Sequence, residues 1–393
     1  MKSLLLACLV VTGCIESEQN DGDEEGTVVE VPDQPHTAAC TGSRFQCFAQ
    51  IRTDSEARIA AFAAPSGFGA TTLAQAYHLA ATRHPTATIA IVDAFDYANA
   101  ESDLAAYRAQ YGLPPCTTAN GCLRIVNQQG EAAPLPAAPP AGDDWTIEAA
   151  LDLDMASAAC PSCNLVLVEA DDDVGDGLFV GQNTAAALGT VVSDSWGTIE
   201  PSDAASLETF FAHPGVAIFA GTGDWAYNAT QLPGCPGPFY PSTSPNVIAV
   251  GGTSLLHSTN TRGFYERAWS DAGSSCSNVF AKPAWQTRVP TCKGRMAADV
   301  SAVADPNTGV AVYNATYGGW IVVGGTSAAT PLVAGIFARY GLGAVGSHYA
   351  YAHPLQFYDV HSGRNGACTT ALCVSVLGWD GPTGMGTPNG YHL

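Results

Sequence analysis

Five apolar runs recur along the body of the chain: TATIAIVD (86–93), NLVLVEA (164–170), GTVVSDSWG (189–197), GVAIFAGTGD (215–224) and NVIAVGG (246–252). Ala-rich stretches of helical type, such as ESDLAAYRAQYG and TIEAALDLDMASAA, lie between several of them. Buried strands alternating with helices predict an α/β fold, a doubly wound and mostly parallel sheet with helices on both faces. In such sheets functional groups gather at the carboxyl ends of strands. Asp93, Gly197 and Asp224 fall at those ends.

The chain has 393 residues, enough for one large domain or two moderate ones, and from about residue 40 its composition is uniform, without internal repeats or a second linker. PAAPPAG (136–142) is too short to separate folding units and reads as a loop. Asp and Glu number 36 against 15 Lys and Arg, a net charge of −21, which excludes nucleic acid as a partner.

MKSLLLACLVVTGC opens with one Lys and an apolar run, the pattern of an export signal over residues 1–13. The run is too short for a stable transmembrane helix. Its ending, V-T-G-C, resembles a bacterial lipoprotein box, in which Cys14 would be acylated. That predicts attachment at the outer membrane or cell surface through Cys14 alone, or plain secretion if the signal is simply cleaved. Residues 14–39 are acidic, polar and nearly free of aromatics, and are expected to form a flexible tether before a folded body at 40–393. Thirteen cysteines fit an oxidising compartment. Near neighbours suggest the pairs Cys40–Cys47, Cys116–Cys122, Cys160–Cys163, Cys276–Cys292 and Cys368–Cys373, leaving Cys235 over. Spacing alone does not fix connectivity.

GGTSAATP (324–331) follows the apolar run Trp320–Val323 and opens into LVAGIFARY, so Ser327 stands where a strand gives way to a helix. A serine hydroxyl needs a neighbouring base to act as a nucleophile. None of the nine histidines has the HGT-like setting of a subtilisin base. Carboxylates remain. Glu148 and Asp152 in DDWTIEAALDLDMASAA are four apart, on one helix face. Acids in a first turn also complement the helix dipole, so this spacing alone admits a purely structural reading.

Taken together, the fragments resemble the sedolisins, the serine-carboxyl peptidases of subtilisin-like fold. E-x-x-L-D (Glu148, Leu151, Asp152) looks like their acidic pair, and G-T-G-D (221–224) resembles their oxyanion segment. YPSTSPNVIAVGGTSL (240–255) and GGTSAATPLVAG follow in the family's order, and FYDVHSGRNG with LGWDGPTGMGTPNG resembles its calcium-binding end. The similarity spans roughly residues 65–393. It implies Ser327 as nucleophile, Glu148 as general base, Asp152 as the residue that orients Glu148, and Asp224 as oxyanion donor. It implies one structural Ca2+ held by Asp359, Asp380 and the carbonyls of Val360, Val376 and Gly378. SDSWG (193–197) resembles the strand on which the family's extended substrates lie. The implied protein is a monomeric endopeptidase acting on peptides or proteins and favouring acidic pH; a silent, peptide-binding relative is the alternative. Sedolisins usually carry a large pro-domain, and the expectation here is a chain without one. Asp93 reads as structural, and Asp154 and Asp194 as local hydrogen-bonding or surface acids.

Overall fold

The computed structural model describes residues 25–42, 44–80, 86–234, 236–287 and 292–393. The expected export signal at 1–13, Cys14 and Cys235 lie outside the described residues. An eight-stranded central sheet forms the core. Its strands are β1 (Thr88–Ala94), β2 (Leu123–Asn127), β3 (Asn164–Ala170), β4 (Val191–Asp194), β5 (Ala217–Gly221), β6 (Ile248–His257), β7 (Phe264–Ala268) and β8 (Val300–Val303). They run in the order β7-β6-β5-β4-β1-β3-β2, with β8 beside β6. All pairings are parallel except that of β7 with β6. This is the subtilisin-like, mostly parallel architecture expected. The run NLVLVEA becomes β3 and is buried almost end to end. Each Val or Leu so buried contributes roughly 1.5–3 kcal/mol.

Five helices matter here: α1 (Ala70–Ala76), α2 (Ala100–Gln110), α3 (Trp145–Ala159), α4 (Gly177–Leu188) and α5 (Thr326–Tyr340). Adjacent residues of a strand point to opposite faces, and β1 shows what this achieves. Val92 faces α4, where a Cβ on Gly181 would stand 3.0 Å from it. The next residue, Asp93, faces the carboxyls of α3. α3 and α5 lie together; a Cβ on Gly335 of α5 would come within 2.6 Å of the Ala159 methyl. Glycine there permits the close approach of the two helices.

The expectation of a flexible tether through residue 39 is corrected from Glu25 onward. Val28 bridges Ser258, and Glu30 forms a two-pronged ion pair with Arg267. His36–Ala38 pairs with Gln50–Arg52, and that strand pairs with Gly319–Gly324, which in turn pairs with Val310–Asn314. The sequence pattern missed this antiparallel sheet. Its N-terminal strands are three residues long and polar enough to pass for linker. The five near-neighbour cysteine pairs all form disulfides.

Candidate active site

α3 begins where the Asp144 carboxylate accepts from the Thr146 N–H at 3.0 Å, capping the first turn. That start fixes the phase of the helix, and both Glu148 and Asp152 are fully buried. α5 begins at Gly325, whose φ of 91° lies in the left-handed region. A Cβ at Gly325 would stand 1.8 Å from the Phe48 carbonyl oxygen and 2.6 Å from Asp224 Oδ2, so only glycine fits. Ser327 is thereby placed in the first turn of α5, where its N–H has no partner within the helix and donates instead to the Phe48 carbonyl at 3.2 Å.

The fold brings the four expected residues into one buried locus. The Ser327 hydroxyl donates to the Ser195 carbonyl at 3.2 Å. Both Glu148 oxygens are without a bonded partner, although the nearby Ser327 hydroxyl still favours the ionised form of Glu148. Burial outweighs that influence and drives the Glu148 carboxyl well above its ordinary range, with Asp93 the next cause. Asp152 is raised in the same way, by burial first, then by Asp93 and Glu148. The Ser195 hydroxyl donates to Asp152 at 2.8 Å and holds it in place.

Asp224 accepts from the Thr326 N–H at 2.8 Å through Oδ1, while its buried Oδ2 has no partner. Burial pushes its pKa up to about 8. A buried, neutral carboxylic acid with a free oxygen beside a helix N-terminus is suited to donating a hydrogen bond to developing negative charge.

Asp93, expected to be structural, also bears electrostatically on the acids around it. It is buried, neither oxygen is hydrogen bonded, and its charge acts on Glu148, Asp152 and Asp194. Its position at a strand end was the available signal. Of the two readings for Asp154 and Asp194, burial rules out a surface position for both, while Asp154 is hydrogen bonded, accepting from the Tyr313 N–H at 3.1 Å. Ser195, whose hydroxyl and carbonyl touch both acid and nucleophile, carried no sequence signal beyond membership in SDSWG.

Three of the described histidines are plainly engaged elsewhere. His78 bonds Tyr358, His213 bonds Asn183, and His257 packs on Phe68 and Phe264. Among the described residues, none bonds Ser327.

At the far end, Asp359 and Asp380 come together. Gly378 N–H donates to Asp359 at 2.7 Å and Val376 N–H to Asp380 at 3.0 Å, while the Val360 carbonyl accepts from the Thr383 hydroxyl at 3.3 Å. Asp359 keeps one buried oxygen without a partner. Among the described residues, the only group of three potential metal-ligating side chains is Cys40, Cys47 and Glu148, and its two cysteines are already joined.

Residues 172–341 match the Subtilase family. Kumamolisin from Bacillus sp. (strain MN-32) is 31% identical over 369 residues, covering 84% of this chain and 64% of its own length. Sedolisin from Pseudomonas sp. (strain 101) is 36% identical over 170 residues, 38% of this chain and 28% of that one. This chain is sedolisin-like. The solved structure of the Pseudomonas sedolisin, described as a serine-carboxyl proteinase complexed with pseudo-iodotyrostatin, superposes with a TM-score of 0.69 at 24% identity. It covers 83% of this chain and 96% of that one, and shows the shared fold. The sedolisin-like chain thus spans less than two thirds of the length of the curated relatives it matches first.

Proposed function

We propose that this chain is a serine-carboxyl endopeptidase that hydrolyses extended polypeptides, favouring acidic solution. The observation that carries this reading is the meeting of Ser327 with a buried pair of acids, Glu148 and Asp152, without an imidazole bonded to it. The names of the relatives, kumamolisin, sedolisin and the tripeptidyl-peptidases, point the same way.

In this reading the ionised form of Glu148, which its raised pKa makes the scarcer form in acidic solution, takes the proton of Ser327 as the hydroxyl attacks a peptide carbonyl. Asp152 shares that proton, and the Ser195 hydroxyl keeps Asp152 oriented. Well-placed base catalysis contributes roughly 10²–10⁴-fold. The Ser327 N–H and protonated Asp224 receive the oxyanion, a donor of the second kind being worth about 2.7–4 kcal/mol. The Glu148 proton then passes to the departing amine, and water hydrolyses the acyl ester by the reverse sequence. Asp224 donates only while protonated, so the reaction weakens as pH rises through about 8.

The substrate is a peptide or protein chain bound in β form along residues 193–197. One calcium ion fits the Asp359–Asp380 end. The free buried oxygen of Asp359 suits a hard cation, and the repulsion from Asp359 that helps to raise Asp380 would be relieved by one. Asp359, Asp380 and the carbonyls of Val360, Val376 and Gly378 would hold the ion, which supplies charge neutralisation for the loop and takes no part in bond cleavage. We take the protein to work as a monomer outside the cytoplasm, lipid-anchored at Cys14 or secreted. Among the described residues, no helix is long and apolar enough to cross a membrane.

Digestion of casein and of quenched peptides between pH 3 and 7, wild type against Ser327→Ala, tests the function. Loss of cleavage in the variant is expected. Equal activity would remove Ser327 as nucleophile, and inactivity of both would favour the silent peptide-binding alternative.

A further inference from the structure

The cleft already contains a strand, and it belongs to this chain. Gln46–Cys47 runs antiparallel to Trp196–Ile199, with Gln46 opposite Gly197 and Cys47 opposite Trp196. The Phe48 N–H continues the ladder by donating to the Ser195 carbonyl at 3.1 Å. Beyond the site the chain stays extended, and Gln50 pairs with Gly324, Ile51 with Val323. Residues 46–51 therefore cross the nucleophile with sheet partners on both sides.

At the crossing point the Phe48 carbonyl accepts from the Ser327 N–H at 3.2 Å. The Phe48 oxygen and the unpartnered Asp224 Oδ2 converge over Gly325. The Ser327 hydroxyl bonds the same Ser195 carbonyl that receives the Phe48 N–H, which sets it beside this residue. Ordinary strand packing would not require one particular carbonyl to sit between the nucleophile's N–H and an orphaned buried acid.

The Phe48 side chain fills an apolar pocket. Its ring stands edge-on to Phe239 at 5.1 Å and to Trp225 at 6.0 Å, with Ala229 and Ile199 completing the wall. The pocket is cut to the ring: a Cβ at Gly197 or Gly221 would fall 2.8 or 2.9 Å from its atoms.

We propose that Phe48–Ala49 is a self-cleavage site, the first peptide bond this chain hydrolyses. The proposal rests on the peptidase reading above. Ser327 Oγ attacks the Phe48 carbonyl carbon while its proton passes to Glu148. The Phe48–Ala49 C–N bond breaks, the Ala49 amine leaves with that proton, and water releases Phe48 as a free carboxylate. Until the cut is made, the segment bars other peptides from the same ladder. The Cys40–Cys47 disulfide lies wholly on the departing side, so it does not tether the two products. His36–Ala38, paired with Gln50–Arg52 across the cut, must peel away for the cleft to empty.

The test is incubation of the purified, oxidised chain at acidic pH, followed by intact mass and N-terminal sequencing, with quenched-peptide hydrolysis measured alongside. The expected result is loss of everything before Ala49, at a rate independent of protein concentration, with peptide hydrolysis rising in step. Ser327→Ala should stay whole. Phe48→Leu should still be cut and Phe48→Asp should not, with thermal melts checking that each is folded. Peptide hydrolysis by a wild type whose Phe48–Ala49 bond stays intact would overturn this inference and leave the peptidase reading standing. A chain that cuts neither itself nor peptides would overturn both. Cleavage at the same bond in Ser327→Ala, or a rate proportional to concentration, would also overturn self-cleavage within one molecule.

Discussion

Asp93, at the carboxyl end of β1, sits against Glu148 on α3 and is the main cause, after burial, of that carboxyl's raised pKa. Neither Asp93 oxygen has a hydrogen-bond partner. Two neighbouring strand and helix termini thus concentrate acid groups that cannot all ionise together.

This concentration makes stability depend on pH. Asp93, Glu148, Asp152 and Asp224 all have folded-state pKa values raised above those of an unfolded chain. The stability they contribute is fully present below about pH 4 and is lost as pH rises toward the folded-state values. Thermal unfolding followed against pH should show Tm falling between mildly acidic and mildly alkaline solution. Asp93→Asn should flatten that decline; an unchanged slope would remove Asp93 from the coupling.

Replacing the acids should separate their roles. Glu148→Gln is expected to lower kcat by about 10²–10⁴-fold with little change in KM. Asp224→Ala should lower kcat by about 10²–10³-fold. Asp224→Asn keeps a donor at every pH, so its residual activity should not show the alkaline fall near pH 8. A wild-type profile that rises to a plateau at pH 8 would contradict the donor role of Asp224.

Gly325→Ala should be among the most damaging single changes. The methyl would enter the space of the Phe48 and Asp224 oxygens, at a backbone angle that alanine resists. Destabilisation of more than about 1 kcal/mol is expected, read by chemical denaturation.

Removing calcium should lower Tm. An ion at one hundred times its Kd stabilises by about 2.7 kcal/mol, and chelation would forfeit that. Asp380→Asn should abolish the calcium-dependent part of Tm. A melting curve indifferent to both chelator and added calcium would count against the ion.

The central sheet was legible because its strands are near-continuous apolar runs; NLVLVEA became a strand with those bounds. Glu148 and Asp152 were legible through a spacing of four, which any helix converts into a shared face. The part played by residues 46–52 was not. Gln46 meets Gly197 and Gln50 meets Gly324, pairings between distant stretches that leave no local period in so short a segment. Asp93 was visible at a strand end, yet its effect on Glu148 depends on how α3 lies over β1, which periodicity does not report.

The five disulfides among the described residues all join close neighbours, the widest separation being 16 residues. Bridges of this kind rivet individual loops and leave the order of the sheet to apolar packing. Once riveted, these loops offer fewer frayed ends to proteolytic attack, a practical virtue if the proposed activity holds and copies of this chain share their surroundings.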